Sequence, residues 1–410
     1  MVTSYSGDQL RGGRSRGLLA AGRNIDGRLI FAMVLFGLGA WSVAALQVAS
    51  GRGIMAAGGI YAIGRDFAII WTAAQMARQG NVAEIFDTGR FMEAAHRLVD
   101  PALSFHMWSY PPTALINVLP LGYLPYWPAY LLWNLVGLTV LFGAGRLFFG
   151  KGLAAPLLLV SPAAAVNVTL GQNGFVSASL MLAGLALVDA RPRLAGVLFG
   201  LLGFKPQLGI LLPVGLLAAR RYWPIATAAL TGLGMVLVSA ILFGPQAWVA
   251  FLASTVPAQT QMMVGDGPFR WMAPSAFMSG LILFGPGHGP MLAQAPFTIL
   301  GCVLAWRAFR QGGDPALRAA VLIVATFVAS PQAFNYDMIP VAAAALVLAR
   351  ASPTVLDLGL VCLLWCAPVL VVVVNSLGLP VIPLVMAAAA IRLDRISRAA
   401  RPAALTWRPS

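Results

Sequence analysis

Five polar stretches interrupt an otherwise apolar chain: Arg65/Asp66, "GQN" (171–173), "FKPQ" (204–207), "GDGPFRW" (265–271) and "SPQAFNYD" (330–337). Together they offer three carboxylates, three cations, several amides and a phenol. A carboxylate such as Asp66 can take the proton from an attacking hydroxyl, general-base work usually contributing about 10²–10⁴-fold. Lys205 and Arg270 can pair with an anionic phosphate and stabilise the charge that develops as it leaves. With a sugar carried on that phosphate the reaction is glycosyl transfer, and a single displacement inverts the anomeric centre. An ionised phosphate departs with little help, so one base and a cationic clamp suffice. Neither metal nor cofactor is required by this chemistry. Arg65, Gln172, Asn173, Gln207, Tyr336 and Asp337 stand in the same stretches and are the candidate contacts to sugar or acceptor.

Each residue also has a plainer role. Asp66 could be the N-cap of the helix that begins there, and Asp337 could cap the helix that follows it. Lys205 could be a snorkelling anchor. Arg270 and Trp271 could form an ordinary membrane-interface pair. "GQN" alone reads as a tight turn. What favours chemistry is that such groups, costing about 2.5–3.5 kcal/mol for a charge at the membrane centre, mostly line functional cavities.

The elements that must position them are membrane helices. The 410 residues are 59% hydrophobic and 10% charged, with a mean hydropathy of +0.82; soluble domains carry roughly 25% charged residues. The net charge of +14 is spread in short clusters between apolar runs, the pattern of the positive-inside bias, and not as one nucleic-acid-binding face. Cys302, Cys362 and Cys366 all fall inside apolar runs and read as small buried residues. His96, His106 and His288 lack metal-ligand spacing. Nucleotide-cradling glycine loops and a G-x-S-x-G elbow are both missing from the sequence.

With the basic clusters as cytoplasmic pins, the apolar runs thread the membrane as 29–48, 126–145, 152–170, 173–189, 194–204, 207–219, 223–243, 290–306, 319–332, 338–349, 355–374 and 379–391. That is an all-α polytopic membrane protein with about twelve crossings and both ends inside. Residues 1–28 form a basic cytoplasmic tail, 29–391 a single integral-membrane domain, and 392–410 a cytoplasmic C-terminal tail. The loop 49–110 is the largest outer segment. In it Phe67, Ile70, Trp71 and Ala74 share a face after Asp66, which predicts an amphipathic helix lying on the membrane surface; a second helix is expected from Thr88 to Val99. The stretches 111–125 and 275–285 are short for spans and read as interfacial or re-entrant. All five polar stretches then fall on the outer side and are expected to converge.

On these residues the chain resembles the polyprenol-phosphate-mannose-dependent alpha-mannosyltransferase-like family, glycosyltransferase family eighty-seven of the GT-C superfamily. The matching pieces are "RDFAIIWTAAQMARQGNVAEIFD", "YPPTALINVLPLGYLP", "GQNGFVSASLMLAGLAL", "FKPQLGILLPVGLLAARRYW" and "SPQAFNYD", in family order. The resemblance implies a GT-C fold in a bacterial inner membrane. It also implies transfer of a sugar, mannose first, from a polyprenyl-phosphate carrier to a glycolipid or cell-envelope glycan on the outer face. It places the catalytic aspartate at Asp66. Members often carry an acid or a tyrosine where this chain has Phe86. The competing readings are a transporter or flippase of a lipid-linked sugar, which should show repeated halves, and a non-catalytic assembly partner, in which Asp66 would be replaceable.

Overall fold

The computed structural model describes residues 25–265, 267, 269–351 and 354–400. Most of the two basic tails, with Asp266 and Pro268 of the fourth polar stretch, lies outside them. Among the described residues the regular structure is helical and no strand forms. In chain order the first helices are α1 (Gly27–Ser50), α2 (Arg65–Arg78), α3 (Thr88–Leu98), α4 (Pro112–Val118) and α5 (Tyr126–Phe149). Next come α6 (Ala154–Leu159), α7 (Pro162–Leu170), α8 (Gly174–Leu187), α9 (Pro192–Leu201) and α10 (Leu212–Ala218). Then follow α11 (Tyr222–Phe243), α12 (Pro245–Ala250), α13 (Val256–Val264), α14 (Phe269–Met272) and α15 (Ala276–Phe284). The set ends with α16 (Gly289–Gln311), α17 (Pro315–Ala329), α18 (Ile339–Arg350), α19 (Val355–Ser376) and α20 (Ile382–Ala399).

Five of these, α1, α5, α11, α16 and α19, are long and apolar enough to cross a membrane. The other segments of the threading are helices too, but short or broken. The run 152–170 is cut at Ser161, whose Oγ accepts from the Ala164 N–H to cap α7, with Pro162 at its first turn; a proline there has no N–H to continue the helix before it. The run 194–219 is divided by 3-10 turns at Leu202–Phe204 and Pro206–Gly209. Apolarity therefore marks the helices without fixing how many cross, and a count of twelve stays a proposal. The stretches 111–125 and 275–285 form the 7-residue α4, with a following 3-10 turn, and the 9-residue α15; at about 1.5 Å per residue neither can cross.

The core is built on α17 and α18, buried along nearly their whole lengths. At about 22 Å, the 15 residues of α17 fall short of the ~30 Å hydrocarbon thickness. Its neighbour α16 runs further. Gln294 on α16 is level with the end of α17 and donates to the carbonyls of Val328 and Ala329, each at 3.1 Å. These carbonyls end a helix and have no partner within it. Beyond that level the chain turns through 330–338 inside the protein before α18 begins.

On the opposite flank α9 lies against α11 through Gly196 and Gly200. A Cβ at Gly196 would come 1.8 Å from Thr227 Oγ1, and one at Gly200 would come 2.5 Å from Thr231 Cβ. Small residues four apart let two membrane helices approach closely.

One expectation is overturned. Helix α2 does not lie on a membrane surface with one apolar face, because every residue from Asp66 to Ala77 is buried. The 111–124 segment, α5 and α7 surround it, and Gly122 packs directly on the Ala74 carbonyl. Its polar positions, Thr72 and Gln75, face other protein. Helix α3, at 88–98, is amphipathic as expected, with Phe91, Met92, Ala94 and Ala95 turned inward.

The α9–α11 contact gives a test. Gly196→Ala is expected to cost about 1–3 kcal/mol by overpacking, seen as a lower Tm in detergent. Gly234→Ala on α11, where an added Cβ meets nothing within 4 Å, should leave Tm unchanged. Equal Tm values would show that the two helices do not depend on this close approach.

Candidate functional site

Helix α2 begins with a left-handed residue, Gly64 (φ 66°, ψ 58°), and no side chain caps it. The capping role for Asp66 is therefore wrong, because Gly64 occupies the cap position and Asp66 sits inside the first turn. Its carboxylate instead makes tertiary contacts. Arg65 Nε donates to Oδ1 at 2.9 Å, and Gln172 Nε2 donates to Oδ2 at 2.9 Å. Burial alone would raise the Asp66 carboxyl. The Arg65 guanidinium, the Gln172 amide and nearby His106 outweigh it and hold the group below the ordinary carboxylate value.

Gln172 is brought there by the end of α7. Gly171 takes the left-handed conformation (φ 65°), and a Cβ on it would sit 2.3 Å from Phe67 Cβ. "GQN" is indeed a tight turn, one pressed onto α2. Gln172 Oε1 accepts from Tyr110 Oη at 2.9 Å and from the Asn173 N–H at 3.2 Å. The Asn173 side chain lies behind this turn among Ile70, Trp108 and Trp133.

Tyr110 leads to a cleft of about 460 Å³. Its lining combines polar and aromatic side chains, among them Tyr110, Lys205, Gln207, Tyr336, Asp337, Asn117 and Gln259, with apolar ones, among them Phe204, Met235, Val236, Trp248 and Phe251. Lys205 is 2% exposed and Asp337 fully buried, and Lys205 Nζ donates to Asp337 Oδ1 at 2.6 Å. The ammonium also lies 4.9 Å from the Tyr336 ring centre and 5.8 Å from that of Tyr110, within cation–π range. Asp337 does not cap α18, since Oδ2 turns back to the Phe334 N–H at 3.3 Å. Lys205 is no snorkelling anchor either, because its charge is met inside the protein.

Four of the five polar stretches thus meet as two side-chain pairs, Asp66 with Gln172 and Lys205 with Asp337, joined through Tyr110. The fifth arrives through Phe269 and Met272. Arg65 lies 6.0 Å from the Phe269 ring and 3.7 Å from the Met272 sulfur, and Phe269 stands edge-on to Phe334. Arg270 is half-buried, its carbonyl accepts from Asn375 Nδ2 at 3.2 Å, and Phe269 rather than Arg270 forms the cleft wall. Asp66, 8% exposed, stands behind Tyr110 and Gln172 rather than in that wall.

Sequence reading did not single out Tyr110, His106 or Phe269. Tyr110 opens "YPPTALINVLPLGYLP" and lies outside the five polar stretches. His106 Nδ1 faces the Ser104 carbonyl at 2.8 Å and so carries its proton there, and burial holds the ring below the ordinary imidazole value. Phe86 packs edge-on to Phe251 of the cleft, 5.9 Å between ring centres. Among the described residues no three His, Cys, Asp or Glu side chains gather as a metal cluster.

A family model described as Glycosyltransferase family 87 matches residues 108–331. No curated protein and no solved structure matches the chain. The matched span takes in Tyr110, Gln172, Lys205 and Arg270, while Asp66, Tyr336 and Asp337 lie outside it.

A buried ion pair is costly to break from one side, by about 3–5 kcal/mol, because the remaining charge is left without a partner. Lys205→Met or Asp337→Asn alone should therefore lower Tm strongly. The double variant Lys205→Met/Asp337→Asn, which leaves no buried charge unpaired, should recover much of the loss. Additive losses in a thermal double-mutant cycle would mean the pair is not coupled.

Proposed function

The chain belongs to glycosyltransferase family 87, and we propose that it transfers a sugar, mannose first among candidates, from a polyprenyl-phosphate carrier to a glycolipid or cell-envelope glycan. The membrane is the bacterial inner membrane, and the site faces its outer side. The observation that supports this reading is that Asp66, held below the ordinary carboxylate value, connects through Gln172 and Tyr110 to a cleft whose lining combines Lys205 with many apolar side chains. Such a lining suits an amphiphile with a long apolar tail and a charged head.

In this reading the carrier's tail lies along Trp248, Phe251 and Met235, and its phosphate comes to Lys205. Lys205 gives one N–H to Asp337 and has two left for phosphate oxygens. The acceptor hydroxyl approaches from the Arg65 side, where Asp66 takes its proton as the oxygen attacks the anomeric carbon. The bond to the phosphate oxygen breaks in the same step, the phosphate leaves with the electron pair, and the anomeric configuration inverts. Gln207 and Tyr336 also line the cleft and are the proposed sugar contacts. A charge held in place in a site that excludes water is worth more to the transition state than the same charge in water.

Purified protein in nanodiscs, given radiolabelled polyprenyl-phosphate mannose and a membrane-lipid acceptor extract, should move label to a new product. Asp66→Asn should lose about 10²–10⁴-fold in turnover while still binding the donor. Wild-type activity in Asp66→Asn would end the general-base assignment. The pH dependence follows from the lowered carboxyl. The base works when ionised, so turnover should persist as pH falls through about 4, the ordinary carboxylate value, and fail only below it. A rate already lost at pH 5 would contradict that.

A further inference from the structure

We infer that Gln172 is a positioning residue that fixes the Asp66 carboxylate, and that Tyr110 in turn fixes the Gln172 amide. The inference rests on the reading of Asp66 as the base. A glutamine amide can sit two ways round, related by a half-turn that exchanges its oxygen and nitrogen. Here the choice is forced from both sides. Oε1 receives the Asn173 backbone N–H, which can only donate, and the Tyr110 hydroxyl; Nε2 faces Asp66 Oδ2. The reverse placement would set a carbonyl oxygen against a carboxylate and an amide N–H against a backbone N–H.

Both acceptor sites of Oε1 are thereby filled, Gln172 is 6% exposed, and it forms no part of the cleft wall. A direct sugar contact is accordingly not its role. Tyr110 is the member of this chain that reaches the cleft, its ring facing the Lys205 ammonium. A ligand that moves Tyr110 therefore acts on Asp66 through two hydrogen bonds. The charged and titratable groups around Asp66 are Arg65, His106, Lys205, Tyr110 and Tyr336. The Gln172 amide is the neutral donor among them, so its removal alters the carboxylate without altering the local charge.

The test reads Asp66 itself. Infrared pH titration of the full-length protein, with Asp66→Asn subtracted as the blank, follows the Asp66 carboxyl band without any substrate. Gln172→Met, close in size and without the amide, should move the titration midpoint to higher pH. Tyr110→Phe should move it in the same direction by less. In the transfer assay Gln172→Met should lower kcat about tenfold or more, the cost of a misplaced catalytic group, with donor KM unchanged. The acid limb of its rate profile should move up in pH. Gln172→Glu serves as a second variant of native length, and its added carboxylate beside Asp66 should raise the midpoint further. An unmoved midpoint in Gln172→Met, or a raised donor KM with kcat kept, overturns the inference. If Asp66→Asn retains full turnover while the midpoint still shifts, the base assignment fails and the positioning contact stands.

Discussion

Backbone that leaves a helix inside a membrane bundle must find its hydrogen-bond partners there, because lipid offers none. The turn 330–338 between α17 and α18 is such a place, and the polar residues of the region answer its needs. Asn335 Nδ2 donates to the Pro368 carbonyl, and its Oδ1 accepts from the Tyr336 N–H. Asn167 reaches the Tyr336 carbonyl from α7. Asp337 takes the Phe334 N–H on one oxygen and Lys205 on the other. Polarity at this depth is a structural obligation before it is a functional one. Once it is met, the protein holds a rigid, charged, partly dry corner into which a substrate head can fit.

The charges in that corner are arranged as two pairs, Arg65 with Asp66 and Lys205 with Asp337. They differ in how they are held. Lys205 and Asp337 are 132 residues apart, so their pairing itself locks two segments together; Arg65 and Asp66 are adjacent, so theirs does not. The first pair is thus suited to holding the fold and the second to being spent on a reaction. The Asp66 carboxylate is also tied to the rest of the protein by the neutral Gln172 amide, which orients it while leaving its charge intact.

Much of this organisation is legible in the sequence because apolar runs and proline breaks act locally. Most runs coincide with helices to within about five residues, although 152–170 divides in two and the last helix continues past 391 to Ala399, and the polar interruptions hold four of the five groups that touch. Failures came where the deciding contact is tertiary. Residues Phe67, Ile70, Trp71 and Ala74 make a good apolar face, but only the packing of 111–124, α5 and α7 shows that α2 has no exposed side left. Asp66 and Asp337 both stand where a cap would stand. The left-handed Gly64 and the distant Lys205 decide otherwise. Tyr110 carries no signature of its own, and its place follows from Gln172, 62 positions away. The number of crossings stayed open for a related reason, since α17 and α18 are central to the core yet too short for their role to be read from length.

A base held below the ordinary carboxylate value looks poorly chosen at first, since basicity falls with the pKa. In an inverting displacement at a sugar carbon the proton of the attacking hydroxyl becomes acidic only as the new bond forms. A strong base is then less important than one that is always ionised and always in place. Arg65 supplies the first property and Gln172 the second. The same logic explains the cleft. In the proposed transfer the leaving group would be an ionised phosphate, which needs a counter-charge more than a proton, and Lys205 gives only one of its N–H groups to Asp337. In that proposal the work is divided between a carboxylate tuned for permanence and a cation whose own partner, Asp337, fixes its position in the cleft wall.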